Sequence, residues 1–188
     1  GAAVLGIYQL ALTAWIALHT GFCGGIMRAI MRFVPQHLAR NEDSKAASAA
    51  RLGMHISWIL GIGLGAVLFF GSEIISTRIL NQPMAAPVLR VLGFTLPFAA
   101  LHSAVWALGR SLNSLTYVLY QFVLVPASFL LFVLGMILYF SDTGAVGVAA
   151  ALLLSYALPA IPLIFYYRSL CSRLPGVAEV FDTRPMLT

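Results

Sequence analysis

The stretch Leu52–Ser72, LGMHISWILGIGLGAVLFFGS, holds no charged side chain. Its length matches the roughly 20 residues that carry an α-helix across a hydrocarbon core. It does not alternate apolar with polar residues, as a membrane β-strand does. The reading is a helix that crosses a bilayer, and the same signature recurs on both sides of it. Charge-free windows also run over Gly1–Met27, Val91–Gly109, Ser111–Ser141 and Thr143–Tyr167. The helix cores they predict are Leu5–Met27, Gly53–Ile75, Val88–Leu108, Leu115–Phe140 and Gly144–Tyr167.

Composition agrees with that reading. The 188 residues are 61% hydrophobic and 9% charged, with a mean hydropathy of +0.94. A soluble domain carries about 25% charged residues to cover its surface. The deficit extends along nearly the whole chain, so a cleaved leader does not account for it. The expected fold is an all-α integral membrane protein. It is a polytopic bundle of about five transmembrane helices over 1–168, followed by a basic cytoplasmic tail or linker at 169–188.

The formal net charge of +5 lies between apolar runs rather than on one amphipathic face, which points to membrane orientation and not to nucleic acid. The first connection carries Arg28, Arg32, Arg40, Lys45 and Arg51, the third Arg110, and the tail Arg168, Arg173 and Arg184. The second has Arg78 and Arg90 beside Glu73, and the fourth Asp142 alone. With five spans the first, third and tail segments share a side. The positive-inside bias makes that side cytoplasmic and puts Gly1 at the outer face. Tyr139, Phe140, Tyr166 and Tyr167 fall near helix ends, where amphipathic rings favour the headgroup region. Asn41, Glu42 and Asp43 mark a turn, with Ser44 read as the cap of a short helix running into Arg51. Asn81, Pro83 and Pro87 mark the next connection.

The chemistry-bearing residues argue against an enzyme and call for no cofactor. The spans hold no paired carboxylates, no His-Glu-x-x-His and no phosphate loop. Cys23 and Cys171 lack metal-ligand spacing and read as free thiols. Polar residues inside the spans are the functional candidates, because such groups tend to face a bundle interior or a cavity. Gln9, Thr13 and Thr20 form one helical stripe. Thr95, His102, Trp106 and Asn113 form a second with Arg110 on its flank, and Tyr117, Gln121 and Ser128 a third. Three such stripes could line a wet central cavity; the plainer alternative is hydroxyls bonded to their own helix and polar glue between helices. His19, His55 and His102 are candidates for proton coupling, His102 first among them, or else neutral packing residues. Arg28 and Arg32 suit an anionic headgroup through their planar donors, or snorkel to the interface as anchors. Pro97, Pro126, Pro159 and Pro162 mark kinks or hinges. Gly21-x-x-x-Gly25 and Gly61-x-x-x-Gly65 mark close helix contacts.

Several motifs carry a family likeness. Gly6-Ile7-Tyr8 opens a span, Gly21 through Arg32-Phe33-Val34-Pro35 closes it, and Ala39-Arg40-Asn41-Glu42-Asp43 forms the turn. Leu108-Gly109-Arg110 ends a later span, and Leu174-Pro175-Gly176-Val177 follows the last. Together these resemble the oligosaccharide flippases of the multidrug/oligosaccharidyl-lipid/polysaccharide exporter superfamily. The resemblance implies two six-helix lobes around a central cavity. This chain would be a fragment, supplying the second to sixth helices of the first lobe and partnered by the second lobe of the same protein. It also implies movement of an undecaprenyl-pyrophosphate-linked oligosaccharide from the inner to the outer leaflet of a bacterial cytoplasmic membrane, for O-antigen or other surface polysaccharide. Membrane lipids and polysaccharide-assembly proteins are the further implied partners. Arg28, Arg32 and Arg110 would meet the pyrophosphate, while His102, Gln9 and Gln121 on the polar stripes would face the sugars. Alternatives are a drug or metabolite antiporter of the same superfamily, and a non-transport subunit of an envelope-polymer assembly complex.

Overall fold

The computed structural model describes residues 2–114, 116, 119–139 and 144–172. Tyr117, Phe140, Asp142, Arg173, Arg184 and the Leu174–Val177 motif lie outside them, as does the side chain of Gln121. Every regular element among the described residues is helical. The long ones are α1 (Ala2–Ala39), α2 (Asp43–Phe70), α3 (Ala86–Ser111), α4 (Val125–Tyr139) and α5 (Ala145–Ser172). Short helical turns at Ser72–Ile74, Ile75–Ile79 and Pro83–Ala85 connect α2 to α3, and a π-helical stretch, Leu119–Leu124, leads into α4. Four helices, α1, α2, α3 and α5, are long and apolar enough to cross a membrane. The apolar part of α4, Phe122–Met136, is shorter. Leu115 and Phe140, the ends of the expected fourth core, lie outside the described residues.

The long helices outrun the cores expected from charge. At 38 residues, α1 is about 57 Å long against a hydrocarbon thickness of about 30 Å. The connection expected after Met27 is instead a continuation of the same helix. Its physical reason is the apolar pair Ile30 and Val34, one turn apart and both buried, which packs on Ala47 and Ala50 of α2 and on Leu108 of α3. Ser44 accordingly caps nothing. It lies in the first turn of α2, and Glu42 holds the N-cap position without a side-chain capping bond.

The helix ends are closed by asparagine. Asn41, Asn81 and Asn113 are the described non-glycine residues at positive φ (56°, 50° and 51°), a conformation Asn tolerates better than most side chains. After α3, Asn113 N–H bonds to Arg110 O at 3.2 Å and Ser114 N–H to Gly109 O at 2.9 Å. This is the paired pattern that satisfies the last carbonyls of a helix. Asn41 repeats it after α1, with Asn41 N–H on Leu38 O at 3.0 Å and Glu42 N–H on His37 O at 2.9 Å. Asn113 therefore ends α3 and does not extend its polar stripe.

In the bundle α3 is central, packed by α1, α2 and α5, while α4 joins mainly through α5. Half of the apolar window of α3 is buried, against 17% in α1. The closest crossing is between α2 and α3. A Cβ on Gly65 would stand 2.6 Å from Gly93 O, and one on Gly61 would stand 2.8 Å from Pro97 Cα. Gly93 O is the carbonyl that Pro97, four residues on, leaves without its helical donor, and it points at Gly65. Around Gly21, Gly24 and Gly25 there is open space instead. Of the two glycine pairs singled out, only Gly61-x-x-x-Gly65 is used inside this bundle.

Candidate functional site

Two apolar clusters fill the bundle. One gathers Trp15, Leu64, Leu92, Leu96, Ala99 and Ala149; the other gathers Ile30, Val34, Ala104, Leu108, Leu163 and Leu170. Between them, on every helix that meets α3, the sequence turns polar. On α3 the layer is His102 and Ser103, on α1 His19, on α2 the buried Ser57, and on α5 Ser155 and Tyr156. Tertiary packing brings these residues to one depth.

The layer is knitted by hydrogen bonds and rings. His19 Nε2 lies 3.1 Å from Ser103 Oγ, and its ring stacks on Trp15 with centroids 5.3 Å apart at 7°. His102, 2% exposed, places Nε2 3.1 Å from Tyr156 O and meets the Tyr156 ring edge-to-face at 5.4 Å. Trp15 also touches Tyr156, at 6.1 Å. The Trp15 indole N–H is buried with no hydrogen-bond partner among the described residues.

Proline explains why α5 accepts bonds from its neighbours. Pro159 has no N–H to give Ser155 O, the carbonyl four residues before it. Ser128 Oγ of α4 lies 3.3 Å from that oxygen while donating more closely to Val125 O of its own helix at 2.9 Å, and His102 takes the next carbonyl, Tyr156 O. Side chains from α3 and α4 thus clasp the turn of α5 that proline opens.

The sequence-expected site residues separate into three groups. Gln9, Thr13 and Thr20 are exposed on the outer side of α1. Thr13 Oγ1 donates back to Gln9 O at 2.8 Å, the within-helix bond foreseen as the plain alternative. Arg28 and Arg32 are exposed as well. Each lies two residues from the buried Ile30, hence about 160° around the helix from it. Both point away from the bundle, about 80° and 120° around the helix from Thr20. Thr95 and His102, by contrast, are buried inside the bundle. The polar stripes of α1 and α3 do not face one another, so the described helices do not enclose them around a common cavity.

Arg110 shares an end with Arg28 and Arg32 but not a face. Ser111 Oγ is 3.5 Å from Ile30 O, which puts the end of α3 level with the middle of the arginine pair. The Arg110 guanidinium lies over the Trp106 ring at 5.4 Å. His55 is exposed at the same end, with Nδ1 2.8 Å from Arg51 O. There the α1–α2 turn is tied by Glu42, whose carboxylate meets His37 Nδ1 at 2.7 Å and Lys45 Nζ at 2.8 Å. Lys45 first and His37 second hold that carboxyl down at about 2. At the opposite end Arg90 bonds Glu73 and Ser72.

Sequence reasoning passed over Ser57, Ser103, Ser155 and Tyr156. The signal was present in each span, one polar residue near mid-length, but their common depth appears only when the helices are packed. No protein family, curated protein or solved structure matches the chain.

Proposed function

We propose that the chain is a five-span membrane bundle forming most of one lobe of a two-lobe transporter. Its cargo on this reading is an undecaprenyl-pyrophosphate-linked oligosaccharide, moved from the inner to the outer leaflet of a bacterial cytoplasmic membrane. The observation that carries the proposal is the outward face of α1. Gln9 and Thr20 stand exposed there, and Arg28 and Arg32 are exposed further along the same helix. Polar groups at membrane depth that their own bundle leaves uncovered are accounted for by a cavity shared with a second lobe.

In that arrangement Arg28 and Arg32 offer forked donors to a pyrophosphate, while Arg110 at the same end stays over Trp106. The turn of α5 opened by Pro159 gives the lobe a place to bend while it rocks between access states. No covalent step is needed. The positive-inside bias turns the basic end, Arg28 to Arg51 with Arg110 and Arg168, toward the cytoplasm.

The test uses the full protein in vesicles that hold a labelled lipid-linked oligosaccharide in one leaflet. Transfer to the far leaflet is expected to fall at least about tenfold when Arg28 and Arg32 are both replaced by Ala, one decade being the loss of about one charge-assisted contact. Label that never crosses, or that crosses equally well without both arginines, refutes the proposal.

A further inference from the structure

The α2–α3 crossing leaves a groove on the outside of the bundle. Gly65 and Gly93 bring the two backbones together, and the larger side chains on either side stand apart around them. The groove has a volume of about 350 Å³ and is lined by Ile62, Ala66, Phe69, Phe70, Phe94 and Pro97 besides the two glycines. Phe69 of α2 and the exposed Phe94 of α3 meet edge-on at 5.1 Å. From Ile62 to Phe70 it runs eight residues along α2, about 12 Å.

One helical turn beyond the aromatic pair lies an ion pair. Glu73 follows Phe69 by four residues and Arg90 precedes Phe94 by four, so each charged residue sits on the groove side of its own helix. Arg90 Nη2 donates to Glu73 Oε1 and Arg90 Nε to Ser72 Oγ. Both charged heads stay accessible, with the Arg90 and Glu73 side chains 45% and 74% exposed. The mouth of the groove therefore presents a positive and a negative group side by side, above a lining without charge.

We propose that this groove holds an acyl chain of a phosphatidylethanolamine-class phospholipid, with the phosphate at Arg90 and the ammonium at Glu73. An anionic headgroup would meet Glu73 as a like charge, whereas a zwitterionic one completes both partners. The inference rests on the membrane reading of the chain and not on its transport reading.

The experiment places the full protein in nanodiscs with equal phosphatidylethanolamine and phosphatidylglycerol, then counts retained lipids by native mass spectrometry. The expected result is one retained lipid, enriched in phosphatidylethanolamine. Ala66→Phe, at an exposed lining position, lowers that retention about tenfold, and Ile62→Trp does the same one turn earlier on the same α2 wall. Glu73→Gln shifts the retained lipid toward phosphatidylglycerol. Retention in the proportion supplied, no retained lipid, or enrichment indifferent to Ala66→Phe and Ile62→Trp overturns the site. Release of the protein from membranes by alkaline carbonate overturns it differently, by removing the membrane reading.

Discussion

Replacing Gly65 with Ala puts the α2–α3 crossing under direct test. The new Cβ would lie 2.6 Å from Gly93 O, and the helices must part by about 0.8 Å to restore an ordinary 3.4 Å contact. The obstacle is backbone, so no rotamer change relieves it. Gly93, Pro97 and Gly61 sit on the same seam, and their packing loosens together. Overpacking of this kind costs about 1–3 kcal/mol, against a gain of about 1 kcal/mol from replacing a helical glycine. The expected net loss is about 0–2 kcal/mol, and the deficit relative to the same change at a helical glycine with open space around it is the full cost of about 1–3 kcal/mol. Two controls on the same helix sharpen it. Around Gly63 there is open space, so Gly63→Ala keeps only the gain. Gly53 faces Cγ1 of the buried Ile30 at 2.5 Å, a side chain and not backbone, and Gly53→Ala falls between the two. The assay is equilibrium unfolding in mixed micelles of increasing dodecyl sulfate, followed by circular dichroism. Equal midpoints for Gly65→Ala and Gly63→Ala would refute the close crossing and with it the groove built on it.

Three further outcomes follow from the same geometry. His102→Ala removes the donor to Tyr156 O from a buried site and should lower stability by about 1–3 kcal/mol in the same unfolding assay, whereas His55→Ala, exposed and bonded within its own helix, should change little. Asn113→Ala, at φ 51°, should cost about 1 kcal/mol and Asn113→Gly should not, with amide exchange at Leu112–Ser114 as the local readout. Glu42 has a carboxyl lowered to about 2 from its ordinary 4.5, so the tie it makes across the α1–α2 turn is complete above the ordinary value and lost as pH falls toward about 2. Amide exchange over residues 37–45 should accelerate through that window, less so in high salt, and Glu42→Gln should abolish the dependence.

Much of the helix layout was readable from charge alone. The windows around Leu52–Ser72, Val91–Gly109 and Thr143–Tyr167 located α2, α3 and α5, although α2 starts well before its window, at Asp43, α3 starts before its own, at Ala86, and α5 runs past its own, to Ser172. Asn41 and Asn81 were readable as turns for the same local reason, since Asn accepts the left-handed backbone that ends a helix. Where local signals competed, the sequence misled. Arg28 and Arg32 suggest a connection, yet Ile30 and Val34 between and beyond them find buried partners and keep α1 helical.

The chain by itself determined its class, helices long and apolar enough to cross a membrane, with charge kept out of their apolar windows. That information is compositional and needs no partner helix. Only the tertiary structure decided which side of each helix faces inward. For a helix in water the apolar stripe marks the buried face, but in these helices nearly every side is apolar, so no stripe singles out the face that packs inward. Gln9 and His102 are equally polar letters in equally apolar runs, and one faces out while the other closes on Tyr156 O. Gly21-x-x-x-Gly25 and Gly61-x-x-x-Gly65 are likewise the same word, of which only the second meets another backbone. What separates them is the path of α3 through the centre of the bundle, a property of five helices packed together.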